Sequence, residues 1–128
     1  MTITLTAADG HILQAYTAGA EDAERGIVVL QEIFGVNSHI RDVCDFYASK
    51  GYRVIAPALF DRIEPDVEMG YTAQDVERGK ELKAKVSYED APKDIEAAAA
   101  ALSTQKKIGV VGFCWGGTLT WLAACRSA

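Results

Sequence analysis

Histidine is almost missing from this chain: His11 and His39 are the only two among 128 residues. The three cysteines, Cys44, Cys114 and Cys125, form no C-x-x-C pair, so neither a metal site nor a disulfide framework has the ligands or spacing it needs. No hydrophobic run reaches the roughly 20 residues that cross a bilayer. The opening Met1-Thr2-Ile3-Thr4-Leu5-Thr6 lacks the basic flank and long apolar stretch of a secretory signal, so a cytoplasmic location and no membrane partner are expected. Positive charge is also short. Thirteen Lys and Arg against 18 Asp and Glu leave a net charge of -5, and the basic residues are scattered without interleaved aromatics, which speaks against nucleic acid. Gly112, Gly116 and Gly117 do not match the G-x-G-x-x-G of dinucleotide sites, and Gly117 leads into Thr118-Leu119 rather than the Lys of a phosphate-binding loop. No nucleotide or other cofactor is therefore expected.

What is present is an ordinary globular composition, 49% hydrophobic and 24% charged, over a length suited to one domain, residues 1–128. Ile3, Leu5 and Ala7 alternate with Thr2, Thr4 and Thr6, and beyond Asp9-Gly10 the alternation resumes from His11 to Tyr16, which predicts a hairpin at an antiparallel edge. Gly26 to Leu30 and Tyr52 to Ala56 are short β-branched runs that read as strands buried on both faces, and Lys107 to Val111 as a further strand. Helices fall between them. One starts near Asn37 or Ser38, carries Ile40, Val43, Cys44 and Tyr47 on one face and closes at Lys50-Gly51. A second opens on the capping pattern Thr72-Ala73-Gln74-Asp75 and runs to about Val86 with Val76, Gly79 and Leu82 in its stripe. A third follows Asp90-Ala91-Pro92 and reaches Ser103. Strands alternating with helices predict an α/β fold: a mainly parallel sheet, right-handed crossovers, helices on both faces. Cys44 is expected in the core, and the irregular stretch Phe60 to Gly70 at a pocket rim.

Chemistry concentrates at Gly112-Phe113-Cys114-Trp115-Gly116-Gly117, between the last strand and the apolar run Thr118 to Cys125. A G-x-nucleophile-x-G sequence at a strand-to-helix junction is a nucleophile elbow, where small neighbours permit a strained turn that exposes one side chain. Here that side chain is the Cys114 thiol. Unpaired amides and the dipole of the following helix favour its thiolate, and the Trp115 N–H can face a developing oxyanion. Glu32 stands just after a buried strand, where an unpaired carboxylate is costly, so it requires a partner. Its place at the carboxyl end of a parallel strand, where open α/β sheets bind ligands, favours a functional role.

The segment Val28-Val29-Leu30-Gln31-Glu32-Ile33-Phe34-Gly35-Val36-Asn37, then Arg41, then Gly51 to Phe60, together with the cysteine elbow, resembles the dienelactone hydrolase (carboxymethylenebutenolidase) family from about Thr2 to the last residue. The paired motifs QEIFG and GxCxGG carry the resemblance. It implies the α/β-hydrolase fold and hydrolysis of lactones or small carboxylic esters through a Cys-His-Asp triad, with the thiol acylated and then freed by water. By the resemblance, Cys114 is the nucleophile, and Glu32 is linked to the resting thiol and helps deliver the thiolate. The backbone N–H groups of Ile33 and Trp115 match the oxyanion hole, and Arg78 is the nearest candidate for holding a substrate carboxylate.

The family order is nucleophile, acid, histidine, yet only fourteen residues follow Cys114, and neither His11 nor His39 stands at the family position. Leu119, Trp121, Leu122, Ala123, Ala124 and Cys125 make the last helix apolar nearly all round, the pattern of a fully buried element, and the strand before it would leave an open edge. The fold is thus expected to be truncated after the elbow helix, the chain being a fragment or completing itself by self-association through the sheet edge and C-terminal helix. Two other readings stay open. One is a catalytically incomplete module that binds small carboxylates or lactones. The other is a redox role for Cys114, for which Cys125 is poorly placed as a resolving thiol.

Overall fold

In the computed structural model, which describes residues 1–126, five strands form one sheet in the order β1-β2-β4-β3-β5. β1 (Thr2–Thr6) and β2 (Ile12–Ala18) make the expected antiparallel hairpin. β2 runs antiparallel to β4 (Tyr52–Pro57), whereas β3 (Arg25–Leu30) is parallel to both β4 and β5 (Lys107–Gly112). The sheet is therefore mixed, because the hairpin joins β4 directly instead of through a helical crossover. Its two faces are both covered. Val28 and Leu30 of β3 pack toward α3 (Ala91–Ala101) and α4 (Trp115–Arg126), while Ile27 and Val29 face α1 (Ser38–Ser49).

Local chemistry accounts for the helices. Asn37 caps α1 by accepting from the Ile40 N–H at 3.2 Å, and Ile40 and Cys44 are fully buried beneath it. Burial pushes the Cys44 thiol up to about 12, so it is a core residue and not a nucleophile. α2 (Ala73–Lys85) opens on a complete capping box between Thr72 and Asp75. Its Glu77, Arg78, Lys80, Glu81, Lys83 and Lys85 are exposed, while Gly79 and Leu82 are buried. α3 ends at Ala101, two residues short of Ser103, with Leu102 as its C-cap.

α4 is covered on one side only, in keeping with its apolar circumference beside an open sheet edge. Trp115, Gly116 and Leu119 are buried, but Trp121 is 72% exposed and Cys125 is exposed. The reason is that β5 is an edge strand with Lys107, Ile108 and Gly109 open to solvent, so among the described residues nothing covers the outer side of α4.

A buried ion pair ties the hairpin to this framework. Arg62, in the 3-10 turn Leu59–Arg62, donates twice to the fully buried Asp94 of α3, at 2.9 Å each, and twice to Asp9 at 2.8 and 3.1 Å. The Arg62 hydrogen bond holds the Asp9 carboxyl well below its usual range, whereas burial raises that of Asp94.

Candidate active site

The β5–α4 junction is a tight turn with Cys114 in the left-handed region, φ 56°, and its side chain exposed. The Cys114 carbonyl accepts from the amides of Gly117 at 2.9 Å and Thr118 at 3.3 Å, which starts the helix immediately after the thiol. Two glycines make this geometry possible by close approach. A Cβ on Gly112 would sit 2.0 Å from the Gly116 carbonyl oxygen, and one on Gly116 would sit 2.5 Å from that of Leu30. Trp115 is 3% exposed and stacks on Phe60 with centroids 5.3 Å apart and planes at 19°. The first turn of α4 is thereby wedged against the end of β3 and the 3-10 turn.

Glu32 lies two residues past β3, half-buried. Its partner is Tyr71, whose hydroxyl donates to Glu32 Oε1 at 2.7 Å. No hydrogen bond joins Glu32 to Cys114 among the described residues. Burial, with the Glu32 bond adding to it and Asn37 opposing, raises the Tyr71 hydroxyl above the ordinary phenol range. Asn37 donates to the Tyr71 hydroxyl at 3.3 Å and to the Met69 carbonyl at 3.0 Å. Gln31 is fully buried; its side chain accepts from the Leu59 amide at 3.0 Å and donates to the Glu32 carbonyl at 3.1 Å, which fixes the chain entering the site. Tyr71 carried no site signal in the sequence, since it acts through a contact made by folding, and Gln31 was legible only as the first residue of QEIFG.

Ile33 sits where α2 crosses: a Cβ on Gly79 would lie 2.3 Å from its carbonyl oxygen. The Ile33 and Trp115 amides have no protein acceptor among the described residues. Arg78, next to Gly79, forms a half-exposed ion pair with Glu64 of the irregular stretch. His39 is exposed on α1 and its ring meets Phe113 edge-on at 6.4 Å, whereas His11 is in the hairpin with its Nε2 buried and unpartnered.

Two cavities are lined by residues of the irregular stretch or by Trp115 of the elbow, and neither Cys114 nor Glu32 lines either of them. One of about 440 Å³ is bordered by Asp66, Val67 and Glu68 of the irregular stretch, as expected for a pocket rim, but its other walls are β2 and Arg41. The other, about 560 Å³, lies beside the elbow between Lys80, Lys83, Val86, Tyr88 and Trp115. Among the described residues no group of three or more His, Cys, Asp or Glu could hold a metal ion, and no helix is long and apolar enough to cross a membrane.

The model of the dienelactone hydrolase family matches residues 13–128. The carboxymethylenebutenolidase of Pseudomonas putida is 32% identical over 133 aligned positions, covering 97% of this chain and 55% of that protein. A provisionally named carboxymethylenebutenolidase of Synechocystis sp. is 44% identical over 103, covering 77% and 42%. Among solved structures, a provisionally named dienelactone hydrolase from Klebsiella pneumoniae superposes with a TM-score of 0.76 at 32% identity, over 98% of this chain and 55% of that one. A Pyrococcus furiosus esterase, at 18% identity and a TM-score of 0.70 over 98% of this chain and 44% of its own, shares the α/β-hydrolase fold. The chain spans about half the length of these relatives. With its QEIFG loop and cysteine elbow held against each other at the carboxyl ends of β3 and β5, the chain belongs to the dienelactone hydrolase family.

Proposed function

We propose that the protein hydrolyses lactones or small carboxylic esters, with Cys114 as nucleophile. The observation that carries this reading is the exposed Cys114 side chain at φ 56° on the turn between β5 and α4. Such a turn presents the sulfur ahead of the N-terminus of α4, beside the Trp115 amide, which has no protein acceptor among the described residues. The thiolate adds to the carbonyl, forming an S–C bond, and collapse of the intermediate breaks the C–O bond; the proton given up by the thiol passes to the departing oxygen, which leaves as an alcohol from an ester and stays tethered to the acyl group in a lactone. The Ile33 and Trp115 amides, free of protein acceptors, are suited to the oxyanion. Glu32 is the carboxylate nearest in sequence to this hole and serves in preparing the thiolate. Arg78 leaves its exposed pair with Glu64 to hold a substrate carboxylate. The relatives named carboxymethylenebutenolidase support the lactone class.

Freeing the thiol requires a base to activate water, and neither His11 nor His39 makes a hydrogen bond to Cys114 among the described residues. Residues 1–128 by themselves are therefore expected to stop at the acyl-enzyme. Intact mass spectrometry after mixing with cis-dienelactone or an activated ester tests this. A stoichiometric adduct on the wild type, none on Cys114→Ser and slower labelling of Glu32→Gln are expected. Absence of any adduct on the wild type would turn the reading into one of binding without catalysis.

A further inference from the structure

Gln31 directly follows β3 and is fully buried, with its side-chain amide bonded to two backbone groups. Its oxygen accepts from the Leu59 N–H at 3.0 Å, and its nitrogen donates to the Glu32 carbonyl at 3.1 Å. A backbone donor on one side and a carbonyl on the other leave the amide a single orientation. The Glu32 carbonyl belongs to the same peptide group as the Ile33 N–H. That group is planar and trans, so its carbonyl and N–H point in opposite directions. Holding the carbonyl therefore aims the Ile33 N–H away from Gln31, and this N–H has no protein acceptor among the described residues.

The anchor of this hold lies elsewhere in the chain. Leu59 opens the 3-10 turn Leu59–Arg62, and the next residue, Phe60, stacks on Trp115. One turn thus reaches both amides assigned to the oxyanion, Ile33 through the Gln31 side chain and Trp115 through its ring. α2 closes the grip at the Ile33 carbonyl, where Gly79 approaches too closely for a Cβ. The pairing of β3 with β5 ends at Leu30 and Gly112, so no sheet ladder fixes the next peptides, and a side chain does it instead. We propose that Gln31 is a positioning residue that fixes the Glu32–Ile33 peptide plane and so aims the Ile33 N–H at the carbonyl oxygen of the substrate. The inference deepens the proposed function and rests on its assignment of Ile33 to the oxyanion hole. An apolar residue of similar volume would fill the same space, but it would leave the Glu32 carbonyl and the Leu59 N–H without these bonds.

The test compares two reactions of one thiol. Acylation by p-nitrophenyl acetate builds charge on a carbonyl oxygen and uses the hole, whereas alkylation by iodoacetamide displaces iodide from a saturated carbon and forms no oxyanion. Gln31→Met keeps the volume and loses both bonds; Gln31→Glu keeps the acceptor for Leu59 and, when ionised, loses the donor. Both variants are expected to acylate Cys114 about tenfold more slowly while alkylating it within about twofold of the wild type. In Gln31→Glu the ratio of the two rates should recover as pH falls and the introduced carboxyl regains a proton to donate. Unchanged acylation in both variants, or equal losses in both reactions, would overturn the proposal. The order parameter of the Ile33 amide, measured by NMR, reads the hold on the wild type itself: a value near 0.85 is expected, and one below about 0.6 would also overturn it. A wild type that alkylates but does not acylate rejects the hydrolase reading, and a rigid Ile33 amide that loosens in Gln31→Glu then keeps the hold of Gln31 on the peptide.

Discussion

Gly116 lies against the carbonyl of Leu30 so closely that a Cβ there would stand 2.5 Å from its oxygen, with the Gln31 oxygen at 2.6 Å. The first helical turn after the thiol therefore rests on the strand that leads into Glu32 and Ile33. Neighbouring Gly117 meets nothing nearer than 3.6 Å.

Gly116→Ala should push α4 away from β3, costing about 1–3 kcal/mol as overpacking does, and should slow Cys114 alkylation. Gly117→Ala has room for its methyl and should be neutral or gain up to about 1 kcal/mol from helix propensity. Chemical denaturation of both variants checks the contrast. Equal losses would mean that the close approach to Leu30 does not decide the elbow.

The left-handed Cys114 backbone, at φ 56°, stores strain that a side chain makes worse. Cys114→Gly is expected to be more stable than Cys114→Ala by about 1 kcal/mol, since both lack the thiol and differ in tolerance of positive φ. Thermal unfolding of the pair decides the matter; the reverse order would place the residue in an ordinary conformation in solution.

Acid should weaken the fold partly through Asp9. Its carboxyl is held below the usual range by the Arg62 hydrogen bond, so the stability it contributes is present above the ordinary Asp value near 3.9 and is lost as pH falls through the lower folded value. Asp94 has the opposite sign: burial raises it, and its contribution is present at low pH and lost as pH rises through the folded value. Asp9→Asn removes the first dependence and keeps the second. Its urea midpoint should fall less steeply than the wild type between about pH 5 and pH 2. Parallel slopes would show that Arg62 does not hold Asp9 in solution.

Much of this architecture was legible in the residues. The alternation around Asp9-Gly10, the Asn37 and Thr72 caps, the core position of Cys44 and the glycine-flanked thiol all appear where they were expected. Each depends on chemistry within a few residues. Other features depend on distance. Glu32 called for a partner, but Tyr71 is 39 residues away, and no local pattern distinguishes it from another tyrosine beside a helix cap. Arg78 looked free to meet a substrate until Glu64, fourteen residues earlier, was found against it. The apolar circumference of α4 was legible, but which of its sides is covered is set by neighbouring elements, and Trp121 is left exposed.

By itself, then, the sequence determined the elements, their order and the chemical character of the elbow, because backbone propensity, capping and turn sterics act over one or two turns of chain. Only the tertiary structure decided that the elbow meets the QEIFG loop through Gly116, that Glu32 is tied to Tyr71, and that Arg62 bridges Asp9 and Asp94. Those pairings join residues far apart in the chain, and they form where the packed sheet brings their atoms within hydrogen-bonding reach and shields them from water.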